Sequence, residues 1–271
     1  MESIENEKEV LMTFLSFTLT SSKPILEKFS KLDGAIVHLD GQQQNFVYIP
    51  GKRKDRVVLV AHSDTVWDTY YYSYNRLKLT KPPNPDNDED SFDPERHKPI
   101  EVDGIIQQGG SGEWGIGADD RAGCAMLWLL RNCGHSLLIT DGEEHGQIGD
   151  NYILEKFPDI AEELNSHQYF IQLDHRRSND YKTYSIPVTK DFRKYIEENT
   201  QYKSAGKTSL TDIVILCTEI CGVNLSIGYY NEHTPKEIVV YDEWLHTLQL
   251  LRNFLQKEQP KFNLKFSMKK K

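Results

Sequence analysis

Only four cysteines occur in 271 residues (Cys124, Cys133, Cys217 and Cys221), and no Cys-x-x-Cys is among them. A zinc knuckle is thereby excluded, and their apolar, periodic settings read as reduced core residues of an intracellular protein. Long apolar runs are missing as well: none approaches the roughly 20 residues that span a bilayer. A secretory leader is basic and then apolar, whereas Met1-Glu2-Ser3-Ile4-Glu5-Asn6-Glu7 is acidic. Positive charge is in deficit, 32 Lys and Arg against 41 Asp and Glu for a net −9. That balance argues against a general nucleic-acid-binding surface. The expectation is a cytoplasmic protein with neither a membrane nor a nucleic acid as partner. No internal repeat is visible.

What the chain does have is a series of short apolar runs alternating with helical periodicity. Apolar residues at helical spacing predict an amphipathic helix over Glu7 to Ser16, and a second over Lys23 to Ser30 with Pro24 in its first turn. Ala35–Asp40 and Phe46–Pro50 read as a hairpin. Val57–Ala61, Ser136–Thr140, Tyr169–Leu173 and Val223–Gly228 read as strands, the first with the solid character of a strand covered on both faces. Helices are expected at about Arg121–Cys133, Tyr152–Leu164, Phe192–Asn199, Thr211–Ile220 and Val240–Gln256. Trp67 to about Ile100 is the least regular stretch, first aromatic, then rich in proline and acid, and is expected as an irregular surface loop. Ile105–Ile116 reads as glycine-rich turns. Strands alternating with helices predict a three-layer α/β/α sandwich around a mostly parallel, mixed sheet.

Ligands in such folds collect outside the carboxyl ends of the strands. Here those ends carry His62-Ser63-Asp64, Asp141-Gly142-Glu143-Glu144, Asp174, and Tyr229-Tyr230-Asn231-Glu232-His233. Beside them, Gly117-Ala118-Asp119-Asp120-Arg121-Ala122-Gly123 reads as a tight loop opening a buried helix, its acids at the positive N-terminal end. Each feature alone has a plain alternative: a hydrogen-bonded core histidine, a helix cap, a solvated pair of acids. Together they place two imidazoles and three or more carboxylates on one rim, the mix needed to bridge two zinc ions.

The ordered series His62-x-Asp64, Gly117-Ala118-Asp119-Asp120, Glu143-Glu144, Asp174 and His233 resembles the co-catalytic di-zinc exopeptidases, a group that includes aminopeptidases, peptidase T, glutamate carboxypeptidases and aminoacylases. The resemblance spans roughly His62 to Glu237 and implies the zinc-peptidase/phosphorylase-like version of the sandwich. It implies two Zn2+ per chain, with Co2+ or Mn2+ as substitutes, held by His62, Asp119, Glu144, Asp174 and His233. Asp119 would bridge them, its peptide bond to Asp120 being cis in that family. Asp64 would orient His62, and Glu143 would be the general base. Arg176, Tyr229 and Tyr230 are candidate substrate contacts, a tyrosine as oxyanion donor and the arginine either on a substrate carboxylate or neutralising the acidic rim. Asp212 is expected to cap the helix after it.

The segment from Asp174 to His233 is too short for the separate lid or dimerisation domain of many relatives, which implies one catalytic domain over residues 1–271. An aspartate at position 174 leans toward an aminopeptidase acting on short peptides. A carboxypeptidase, dipeptidase or N-acyl amino-acid hydrolase on an acylated substrate is the alternative, and a non-catalytic metal-binding module is a third. Composition leaves the oligomeric state open.

Overall fold

Four runs form the middle of an eight-stranded sheet in the computed structural model, which describes residues 6–39, 43–68, 97–110, 114–206 and 210–266. They are β3 (Val58–His62), β6 (Ser136–Thr140), β7 (Phe170–His175) and β10 (Gly222–Ser226), all parallel and buried almost throughout. Adding β1 (Ile36–His38), β2 (Phe46–Ile49), β8 (Asp180–Lys182) and β9 (Lys203–Ser204), the order is β1-β2-β6-β3-β7-β10-β8-β9. The outer strands β2 and β8 run antiparallel to their inner neighbours, so the sheet is mixed and mostly parallel, as expected.

Chain direction assigns the helices to faces. From β3 the chain steps one way to β6 through α3 (Ala118–Leu130); from β6 it steps back past β3 to β7 through α4 (Ile148–Lys156) and α5 (Pro158–Ser166). Right-handed crossovers in opposite directions lie on opposite faces. On the α3 face pack α1 (Glu7–Leu15) and α8 (Tyr241–Gln256), with α6 (Lys190–Thr200) against α8; on the other, α7 (Asp212–Leu216) joins α4. The remaining helix, α2 (Lys23–Phe29), packs against β2.

Three elements differ from expectation. The helix over Tyr152–Leu164 is two, because Pro158 lacks an N–H and starts a new helix after Phe157. The one over Thr211–Ile220 stops at Leu216, where Asn165 Oδ1 accepts from the Thr218 and Glu219 amides, 3.0 Å each, and turns the chain toward β10. A second sheet, all antiparallel, joins β4 (Pro99–Val102), β5 (Ile105–Gln108), β11 (Tyr229–Tyr230) and β12 (Ile238–Val240) in the order β11-β12-β5-β4. Asp103 and Gly104, both at positive φ, make the tight β4–β5 turn, where turns and loop alone were expected. Most of the stretch expected to be irregular, residues 69–96, lies outside the described residues. All four cysteines are free thiols. No helix among the described residues is long and apolar enough to cross a membrane.

Candidate metal centre

β3 ends on His62, whose side chain is 1% exposed. Its Nδ1 lies 3.2 Å from the Asp64 carbonyl oxygen and 3.4 Å from Asp64 Oδ1. Its Nε2 faces Asp119 Oδ1 at 3.2 Å and Asp174 Oδ1, at the end of β7, at 3.5 Å. Across the cleft, His233 sits between β11 and β12, its Nε2 3.1 Å from Asp119 Oδ2 and 2.8 Å from Glu144 Oε1. Asp119 thus stands between two imidazoles, one oxygen toward each.

The loop before α3 makes this possible. Gly117 takes φ +66°, the left-handed region glycine enters without strain, and the Asp119–Asp120 peptide bond is cis. The two adjacent acids then divide their work. Asp120 caps α3, accepting from the Gly123 amide at 3.1 Å and from the His62 amide at 3.2 Å, while Asp119 turns to the histidines. Glu237, which the sequence reading assigned no role, anchors the loop. Its carboxylate accepts from the amides of Ile116 (2.9 Å), Gly117 (2.7 Å) and Asp119 (3.1 Å).

Similar supports hold the other members. Asp64 accepts from the amides of Glu143 (3.2 Å) and Glu144 (3.1 Å), so one carboxylate tethers the loop after β6 to the end of β3. Asp174 Oδ2 receives Thr211 Oγ1 (2.8 Å), Gln172 Nε2 (3.2 Å) and Asn224 Nδ2 (3.3 Å). Gln172 and Asn224 interrupt otherwise apolar strands, which is the sequence signal that could have found them. Asp212 does not cap its helix as expected. Thr211 is the N-cap residue, and the buried Asp212 carboxylate instead accepts from Gln172 Nε2 at 2.9 Å and Thr140 Oγ1 at 3.1 Å.

The donor set fits divalent cations. Asp64 oxygens around Nδ1 of His62 call for a proton there, which leaves Nε2 as a lone pair aimed at oxygens of two different acids. A single N–H reaches one such oxygen well; a cation is shared among all of them. One group, His62–Asp119–Glu144, has ligand atoms all within 4.8 Å of one another; a second, His62–Asp120–Asp174, runs through Asp120, whose oxygens the Gly123 and His62 amides already hold. The crowding of these groups also shifts their charges. Burial alone would raise Asp119, but His233 and His62 hold it well below the usual carboxylate range. Burial would lower His233, yet Asp119 and Glu144 push it up to about 11. Glu144 is pushed up to about 7 and Asp174 to about 6, each by burial and by the charge of Asp119.

Glu143 and the centre open onto a cavity of about 420 Å³ that is also lined by His175, Arg176, Lys182, Tyr184 and Leu210. Burial, then the charges of Asp212, Asp174 and Glu144, raise Glu143 well above the ordinary glutamate value. Arg176 is ion-paired with Glu232 at the rim. Tyr229 lines the cavity but its hydroxyl donates to the Asp174 carbonyl at 2.9 Å, and the Tyr230 hydroxyl donates to Glu243 on α8 at 2.7 Å.

Comparison with family models and with curated proteins finds no match. Solved structures do match. A Bacillus cereus aminopeptidase, PepT, is 15% identical, with a TM-score of 0.59 over 94% of this chain and 99% of its own. A TET aminopeptidase from a marine-sediment Thaumarchaeota archaeon is 12% identical, TM-score 0.60, over 93% and 96%. A Thermotoga maritima protein described as an endoglucanase is 11% identical, TM-score 0.54, over 91% and 96%. The chain therefore has the zinc-peptidase fold. At these identities the likeness defines the architecture and leaves the bond that is cleaved to the chemistry of the site.

Proposed function

We propose that this protein is a di-metal exopeptidase, an aminopeptidase of short peptides, in which His62, Asp119, Glu144, Asp174 and His233 hold two divalent cations, zinc first among them. The observation that carries this reading is Asp119 between the two imidazole Nε2 atoms. Bound there, two cations supply a Lewis-acid field that lowers the pKa of a water and polarises a substrate carbonyl.

The chain's own groups do the rest. Glu143 faces the cavity with a pKa raised by burial, as suits a base that takes a proton from water and returns it to the leaving amine. Asp64 keeps the His62 proton on Nδ1 and the Glu143 loop in register. Asn224 Nδ2 donates to the Tyr184 hydroxyl at 2.9 Å, which leaves the Tyr184 proton as a donor in the cavity wall for a developing oxyanion. Among N-terminal, C-terminal and acyl-blocked substrates, the aminopeptidase reading is preferred because the similar structures PepT and TET are described as aminopeptidases. In this reading a single catalytic domain carries all of it.

A peptide-library digest read by mass spectrometry tests the proposal: residues should leave from free N-termini only. Release from the carboxyl end, or cleavage of acyl-blocked substrates alone, would replace it with the corresponding alternative. Glu143→Ala should abolish turnover while elemental analysis still finds two metals per chain. A folded preparation that binds no metal would exclude the whole reading.

A further inference from the structure

We infer that Asp150 is a positioning residue for the metal centre: its buried carboxyl shares one proton with Asp212, and the pair fixes the Gln172 amide that holds Asp174. The inference rests on the metal site of the reading above and deepens it by extending that site one layer behind its ligands.

Acids in the first turn of a helix ordinarily stay ionised at the surface, where the helix dipole favours them. Asp150, third residue of α4, and Asp212, first residue of α7, are instead buried, 1% and 0% exposed. The two helices pack together, which brings the two carboxyls into hydrogen-bond contact. Ionised carboxylates offer only acceptors, so that contact requires a proton between them. The other donors all fall on one partner. Asp212 Oδ2 accepts from Gln172 Nε2 and Thr140 Oγ1, whereas Asp212 Oδ1 and both oxygens of Asp150 meet no donor among the described residues. A carboxylate without donors is costly at that depth; a carboxyl pair with a shared proton is not. Burial accordingly pushes Asp150 up to about 7 and, with the charge of Asp150, lifts Asp212 well above the carboxylate range. Glu143, Asp64 and Asp174 add to the negative charge there and His62 opposes it.

The pair reaches the metal centre through one amide. The Ile213 N–H donates to Gln172 Oε1 at 3.3 Å, which fixes which end of that amide is oxygen. The two Nε2 hydrogens then divide between Asp212 Oδ2 at 2.9 Å and Asp174 Oδ2 at 3.2 Å. With Oδ2 so engaged, Oδ1 is the oxygen Asp174 turns to His62. Without the shared proton, Asp150 and Asp212 would repel, Asp212 would be driven off Gln172, and the amide could swing away from Asp174.

Infrared spectra of the metal-free protein test the proton directly. Just below neutral pH the parent should show a protonated-carboxyl C=O band that shifts in D2O and is lost in Asp150→Asn, whose amide gives Asp212 a permanent donor. Zinc titration against a chromophoric chelator tests the positioning. Asp150→Asn should bind zinc as the parent does, and Asp150→Leu about ten-fold more weakly. In a Gln172→Met background the same Asp150→Leu change should have no further effect, because the amide that transmits it is gone. A band that survives in Asp150→Asn, or equal losses from Asp150→Leu with and without Gln172, overturns the inference. Where Asp150→Leu fails to fold, Asp150→Asn decides: zinc binding ten-fold weaker than the parent's overturns the inference as well. No zinc binding by the parent would sink both this inference and the reading it rests on, whereas zinc binding without the band sinks this inference alone.

Discussion

His167 is a histidine that must stay neutral. Arg56 Nε donates to its Nε2 at 3.0 Å, while its Nδ1 donates to the Glu163 carbonyl at 2.8 Å. Burial, opposed by that carbonyl bond and assisted by the Arg56 charge, pushes its pKa down to about 4. Between the unfolded value near 6.5 and this one, the unfolded chain binds a proton that the folded chain refuses, so stability falls as pH drops through that window. The shift is worth up to about 3 kcal/mol. An NMR titration should find the ring neutral at pH 5, and His167→Gln should flatten the acid limb of stability measured by denaturant. Asp64 supports a different prediction: Asp64→Asn should lower zinc affinity about 10- to 100-fold with the fold retained, measured by competition with a chromophoric chelator. At this scale the sequence was informative where polar side chains gather at the end of an apolar run, as at His62, Asp174 and the loop to Glu144, or where a glycine-flanked pair of acids opens a helix, as at Asp119. Glu237 carried no such mark, because its importance comes from amides more than a hundred residues away along the chain.

Among the elements, α3 and β7 touch more closely than any side chain allows. A Cβ added to Gly123 would lie 2.1 Å from the Leu173 carbonyl oxygen and 2.3 Å from Asp120 Oδ1. Gly123→Ala should therefore cost about 3 kcal/mol or more and push Asp119 out of line. A lower midpoint in thermal denaturation together with weaker zinc binding would verify it; an unchanged midpoint would not fit this packing. The long inner strands and α3 were readable because solid apolar runs bounded by turn residues have few other uses. The four-stranded antiparallel sheet was not. Its strands are two to four residues long, too short to show a period, and β11 and β12 are over a hundred residues from β4 and β5 in sequence.

Across the whole molecule, the centre draws its groups from the ends of β3, β6 and β7, from the α3 loop and from the β11–β12 connection. Under the proposed reading, cation binding would tie both sheets together, and its free energy would add to the stability of the native state. Zinc at about 100 times its Kd should stabilise the protein by about 2.7 kcal/mol, visible as a raised melting temperature that a chelator reverses. No shift on zinc addition would contradict the assignment of the centre.

The amino-acid sequence by itself determined the parallel α/β architecture and the rim on which the acids and imidazoles gather, because burial on both faces demands apolar strands and leaves polar groups only where they end. Which adjacent acid caps a helix and which faces the histidines, and which carboxylate anchors the loop, were decided by tertiary structure alone. Those choices depend on distances of about 3 Å between residues a hundred positions apart, and no local pattern records them.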